Sequence, residues 1–186
     1  MSAASPLPCL VRRGLGPGAA RWHGQCGLPH FDQDGLCGYA IKNEGFTEFA
    51  RGGEKGLWFS RTDTGDNRLV LAESAIDALS HAQIFPDEKT RYASIGGQMN
   101  PLQPGLIKAA ILKMSGASEI IAAMDADADG RKLLEVVRRT VFETARSDLC
   151  FTSSCPKARK IRTMFLGRSC ALLSLTQFLG PRFSGS

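Results

Sequence analysis

Residues 68–84, RLVLAESAIDALSHAQI, change rhythm half-way along, and that change decides the fold. Arg68-Leu69-Val70-Leu71-Ala72 is a continuous apolar run of the length of a strand buried on both faces. Glu73 closes it. From Ser74 the apolar period lengthens: Ile76, Leu79 and Ala82 share one face of a helix that runs to Ile84, and Ser74-x-x-Asp77 reads as a capping box at its start.

The same alternation recurs downstream. Arg91–Ile95 is a second strand, ended by Gly96-Gly97. Leu106, Ile107, Ala110, Ile111 and Met114 give helical spacing over Pro104–Ser115, with Gly116 placed to stop that helix. Glu119–Met124 is a third apolar strand, and Leu133, Leu134, Val137 and Val141 mark a third helix from Gly130 to Ala145. Strand and helix alternating three times predict an α/β fold, a parallel sheet flanked by helices. Upstream, Leu28–Phe31 and Cys37–Ile41 flank a turn at Asp32-Gln33-Asp34-Gly35, and a third short strand is expected over Gly56–Ser60. The chain therefore divides into an irregular leader (1–22), a small β-rich domain (23–64), the α/β domain (65–148) and a basic tail (149–186) in which the order dissolves after Asp148.

Composition narrows the class. With 186 residues, 43% hydrophobic and 22% charged, the chain is long enough to bury a core without disulfides, and collagen, coiled coil and wholesale disorder are excluded. No apolar run reaches the roughly 18 residues of a membrane span. The net charge of +5 belongs to the ends: residues 1–22 carry +3 and 149–186 carry +6 with no acid, whereas 23–148 set 14 basic against 18 acidic residues, a balance of −4. Basic ends could hold nucleic acid, although a solvated tail is the plainer reading. Six cysteines without a CxxC pair fit reduced thiols in a cytoplasm. His23, Cys26, His30 and Cys37 could in principle hold zinc, but they lack the paired spacing of structural zinc sites.

Ligands of parallel sheets gather at the carboxyl ends of the strands. Those ends carry Glu73, then Gly96-Gly97, then Asp125-Ala126-Asp127-Ala128-Asp129-Gly130. Carboxylate oxygens are what Mg²⁺ prefers, held by one or two of them plus water and phosphate, and such a site suits phosphoryl or phosphodiester chemistry. A Glu left over by the metal could act as general acid or base. Capping competes for some of these residues: Asp129 stands just ahead of the Gly130 helix and Asp77 lies in a first turn, so both are secondary candidates. Asp125 and Asp127 are not explained that way, and their alternate spacing would point them together if the strand continued. A calcium EF-hand is excluded, because Val136 falls where its bidentate Glu is needed. Lys108, Lys113, Arg131 and Lys132 are candidate phosphate contacts, each equally readable as a solvated helix residue.

The pair Leu69–Leu79, with Glu73 and Asp77, and Ile120–Asp127, with Asp125 and Asp127, resembles a Toprim domain, the metal-dependent catalytic fold of bacterial-type primases, type IA and II topoisomerases and some nucleases. Ser94-Ile95-Gly96-Gly97-Gln98-Met99-Asn100-Pro101, together with Phe31–Gly35 and Gly38–Ile41, is similar to Toprim proteins of plasmid mobilisation and replication, in which a small β-rich domain precedes a primase-like Toprim domain. The resemblance covers about residues 23–148. It implies Glu73 as general acid/base and metal ligand, Asp125 and Asp127 as metal ligands, Mg²⁺ (or Mn²⁺) as cofactor, single-stranded or nicked DNA as partner, relaxase or helicase modules as further partners, and a bacterial cytoplasm as location. Two departures stand out. Ser74 replaces the family's usual Gly, and no acid follows Asp148, where a further strand and acidic segment are usual; truncation or a change of reading frame near residue 149 would give that pattern.

The expected function is Mg-dependent nucleotidyl or phosphodiester transfer in plasmid replication or mobilisation. The alternative is a non-catalytic Toprim-derived module that binds DNA or a partner without the terminal acidic segment. Strand passage is disfavoured: Tyr39 and Tyr92 are the only tyrosines and both fall in expected strands.

Overall fold

The computed structural model describes residues 26–43 and 46–154. Three strands, β1 (Cys26–Phe31), β2 (Leu36–Asn43) and β3 (Phe46–Phe49), form an antiparallel sheet in the order β1-β2-β3. The turn between β1 and β2 is tied by Asp32, whose Oδ1 accepts from the Asp34 and Gly35 amides at 2.8 and 3.0 Å. Gly35 takes φ +126°, a backbone conformation that favours glycine.

The second sheet has five strands in the order β4-β6-β5-β7-β8. They are β4 (Trp58–Phe59), β5 (Arg68–Ala72), β6 (Thr90–Ser94), β7 (Glu119–Ala123) and β8 (Cys150–Ser154); the helices between them are α1 (Ala75–Ile84), α2 (Gln103–Leu112) and α3 (Ala128–Phe142). β5, β6, β7 and β8 run parallel, and β4 is antiparallel to β6. The α/β sheet expected from the alternation is the one observed.

Side-chain parity sorts the core into two faces. Leu69, Leu71, Ala93, Ile95, Ile120 and Ala122 pack with Ile107 and Ile111 of α2 and Val137 of α3. Val70, Ala72, Tyr92 and Ala123 pack with Ala75, Ala78 and Leu79 of α1 and with Leu28, Ala40 and Trp58. The central strand β5 is fully buried from Leu69 to Ala72, which is why its sequence shows no polar alternation. Among the described residues, no helix is long and apolar enough to cross a membrane.

Three expectations are corrected. The order does not dissolve after Asp148: β8 extends the sheet, Glu119 facing Cys150 and Ala123 facing Ser154. This edge strand is mostly exposed, so Cys150-Phe151-Thr152-Ser153-Ser154 carries no apolar run, and Phe151 alone packs on the core. The expected Gly56–Ser60 strand shrinks to Trp58–Phe59, while Phe46–Phe49 forms a strand the sequence did not announce. The third helix starts at Ala128 rather than Gly130 and ends at Phe142.

Two residues of the zinc array, His30 and Cys37, have other partners. His30 is buried, its Nδ1–H donating to Gly56 O at 2.8 Å, and the Cys37 thiol donates to His30 O at 3.3 Å. His23 lies outside the described residues.

At the amino-terminal end of the sheet Arg146 closes the end of α2. Its guanidinium donates to the carbonyls of Ile111, Met114 and Ser115 at 3.2, 2.9 and 2.8 Å, and to the Asp148 carboxylate. Asp148 also accepts from the Ala117 amide at 3.0 Å, where the backbone takes φ +54°. These bonds, Arg146 foremost, hold the Asp148 carboxyl well below the usual carboxylate range. A carboxylate with a depressed folded-state pKa contributes stability above its unfolded value and loses it in acid. Arg146→Ala is expected to lower Tm by about 5 °C at pH 7. The difference from the native chain should shrink as pH falls below about 4, checked by thermal melts across pH.

Candidate metal and nucleic-acid site

Register places the site. Ala72 of β5 lies opposite Ser94 of β6 and Ala123 of β7, so the three strands end at one level. Glu73, Ile95 and Met124 follow at that edge, and Asp125 comes next. Glu73 and Asp125 are half-buried; Asp127 is exposed.

Local structure then directs each loop. After β5 the chain enters α1 at once, with Ser74 as N-cap accepting from the Asp77 amide at 3.3 Å. The Ser74 hydroxyl donates to Asp77 Oδ2 at 2.5 Å, so Asp77 is engaged at the helix start through the Ser74 side chain. After β6, Gly96 and Gly97 take φ +73° and +88° and turn the chain back. The Gly97 amide donates to Glu73 O at 2.8 Å, tying this turn to the backbone of the candidate acid.

After β7 the strand ends at Ala123, so Asp125 and Asp127 do not extend it as the alternate spacing supposed. Asp127 is the N-cap of α3, its Oδ1 accepting from the Gly130 amide at 2.8 Å. This corrects the sequence reading, which gave the cap to Asp129. Because the helix begins two residues earlier than the apolar pattern suggested, Asp129 falls in its first turn, exposed and paired with Lys132 at 2.9 Å. Gly130 is required by close approach: a Cβ there would lie 2.0 Å from Asp125 O. The first turn of α3 thus rests directly on the Asp125 backbone.

The four basic candidates separate. Arg131 is at the rim, its guanidinium donating to Ala126 O at 2.7 Å, between the two candidate aspartates. Lys132 is exposed beside it and occupied by Asp129. Lys108 lies half-way along α2, and Lys113 caps the far end of that helix, remote from the rim. The sequence reading missed Lys55, whose ammonium donates to Gln98 O at 2.7 Å in the loop after β6. Burial lowers its pKa. Nothing in the local pattern Gly53-Glu54-Lys55-Gly56 shows that it reaches across to the rim.

The donor set is all carboxylate, the chemistry a hard divalent cation selects. Among the described residues no three His, Cys, Asp or Glu side chains meet as a ready metal cluster. Mg²⁺ does not require three, since it is held through one or two carboxylates and keeps several waters. Glu73 directly follows β5 and Asp125 follows the neighbouring strand β7 by two residues, and their carboxylate chemistry fits that demand in kind.

Comparison with known proteins agrees with this architecture. Residues 70–156 match the family described as Toprim-like. Over those residues the chain is similar to a Toprim-like domain. The fold is similar to a DNA primase domain from Pseudomonas aeruginosa (TM-score 0.52, 14% identity, covering 78% of this chain and 48% of that one). It is also similar to the DnaG catalytic core (TM-score 0.50, 15% identity, covering 84% of this chain and 53% of that one). The likeness is one of fold, and the chain spans about half the length of either structure. No curated protein sequence matches it. Both rim loops of the candidate site fall inside the Toprim-like match.

The close packing at Gly130 gives a direct test. Gly130→Ala must push the Asp125 backbone away and is expected to cost about 2 kcal/mol by overpacking. Urea denaturation should show that loss, whereas Gly105→Ala, at a position with nothing within 4 Å of a Cβ, should not show it.

Proposed function

We propose that the Toprim-like domain is a Mg²⁺-dependent nucleic-acid enzyme module of primase type, acting in nucleotidyl or phosphodiester transfer on DNA. The observation that carries this reading is the register-locked placement of Glu73 beside the loop holding Asp125 and Asp127. In it Asp125 and Asp127 hold the metal, the second through the oxygen not spent on the α3 cap, and Glu73 serves as ligand or general acid/base. Bound there, the cation would neutralise charge on a transferring phosphoryl group. Arg131, already at the rim, is the basic candidate best placed to meet a phosphate; Lys132 supports it, and Lys108 and Lys113 contribute at most to a longer electrostatic track. Single-stranded or nicked DNA is the proposed partner. A role in plasmid replication or mobilisation, alongside relaxase or helicase modules, extends the same reading, as does a bacterial cytoplasm.

A second reading rests on Asp127, whose Oδ1 already serves the helix cap. In it the scaffold binds DNA or a partner without catalysis. One experiment separates the two. Calorimetric titration with Mg²⁺ and Mn²⁺ should show saturable binding that disappears in Asp125→Ala/Asp127→Ala and weakens in Glu73→Ala, with folding retained in both. Metal-dependent primer synthesis or nicking lost in the same variants would complete the case. Salt-sensitive DNA binding by a folded chain that takes up no metal would favour the non-catalytic module and overturn the enzymatic one.

A further inference from the structure

One buried side chain joins the β-rich segment to the rim. Gln103, the first residue of α2, is 0% exposed, and its amide is fully used. Nε2 donates to Gly56 O at 2.7 Å and to Ile95 O at 2.8 Å, while Oε1 accepts from the Asn100 amide at 2.9 Å. Two carbonyls and one amide leave a single workable orientation, because a flipped amide would set its oxygen against two acceptors.

The neighbours repeat the pattern. Gly56 O also accepts from His30 Nδ1 at 2.8 Å. Asn100 Nδ2 donates to Lys55 O at 2.8 Å, and Asn100 Oδ1 accepts from the Leu102 and Gln103 amides at 2.9 and 3.0 Å. The His30 ring lies against Gly96 so closely that a Cβ there would come 2.7 Å from its Cε1. From Ile95 the chain reaches the acid directly: the Ile95 amide donates to Ala72 O at 3.3 Å and the Gly97 amide to Glu73 O at 2.8 Å.

We propose that Gln103, with Asn100 beside it, is a positioning residue, and that the pair locks the loop after β6 between the Lys55-Gly56 backbone and Glu73 and so sets the backbone at Glu73 from the β-rich segment. The coupling to chemistry rests on the proposed role of Glu73 in the rim site. The coupling to the backbone does not, and the two are read separately.

The full chain carries the test, with Gln103→Met removing the amide at similar length. Asn100→Asp is the second variant: it keeps an oxygen for the Leu102 and Gln103 amides and replaces the donor to Lys55 O with a carboxylate oxygen that this carbonyl repels. Amide hydrogen exchange is followed in metal-free protein at Gly97, with Leu71 in the buried centre of β5 as reference. In both variants protection at Gly97 is expected to fall about tenfold while Leu71 is unchanged. Equal loss at both amides, or no loss at Gly97, overturns the proposal, since a merely stabilising side chain would lower them together. If Gln103→Met does not fold, Asn100→Asp decides.

Mg²⁺ calorimetry on the same proteins should then show affinity weakened about tenfold, the usual effect of losing a support behind a ligand. Selective exchange at Gly97 with unchanged metal affinity would overturn the claim that the lock serves the site. Native protein that takes up no metal overturns the metal site instead, and leaves the backbone lock to stand or fall on the exchange data.

Discussion

The parallel pairing of β5 with β6 on one side and β7 on the other is the constraint on which everything else rests. A parallel ladder fixes register residue by residue, and a slip of one residue would turn every side chain to the opposite face. Here the ladder aligns Ala72, Ser94 and Ala123, so the loops that follow leave the sheet at one level. Leu69, Val70 and Leu71 in the centre are wholly enclosed, which makes the alignment costly to break. The loops that carry Glu73, Asp125 and Asp127 leave from one edge of the sheet because apolar residues several positions earlier are locked together.

Much of this could be read in the chain because burial writes itself into apolar runs. Arg68–Ala72 and Glu119–Ala123 are strands without polar alternation, and Ser74 signalled the helix start where it occurs. The edges were less legible. β8 is exposed along most of its length, so it needs few apolar residues, and Cys150–Ser154 looks like the polar chain beyond it. β4 is two residues long, and its identity as a strand comes from pairing with distant Ser94 and Ala93. Pattern reasoning sees a segment's own periodicity and misses a partner that is remote in sequence.

The candidate site divides along the same line. Glu73 and the acidic run after β7 could be picked out because they follow buried strands. Which aspartate caps the helix could not, since that depends on where α3 starts, and it starts at Ala128, with Gly130 packed against the Asp125 backbone. Nor could the reach of Lys55 or the buried amide of Gln103, whose partners are carbonyls on other elements. A backbone carbonyl carries no residue identity, so bonds to it leave little trace in a pattern of side chains.

Leu57 is fully enclosed in the core under α2 and α3, and its neighbour Trp58 is packed into the opposite core under α1. These adjacent residues precede the Toprim-like match, yet each completes one layer of the sheet's packing. The α/β unit is therefore not modular at its amino-terminal end. Exchange of the β-rich segment by recombination would be tolerated only where the incoming sequence brings its own pair of bulky residues, one for each face.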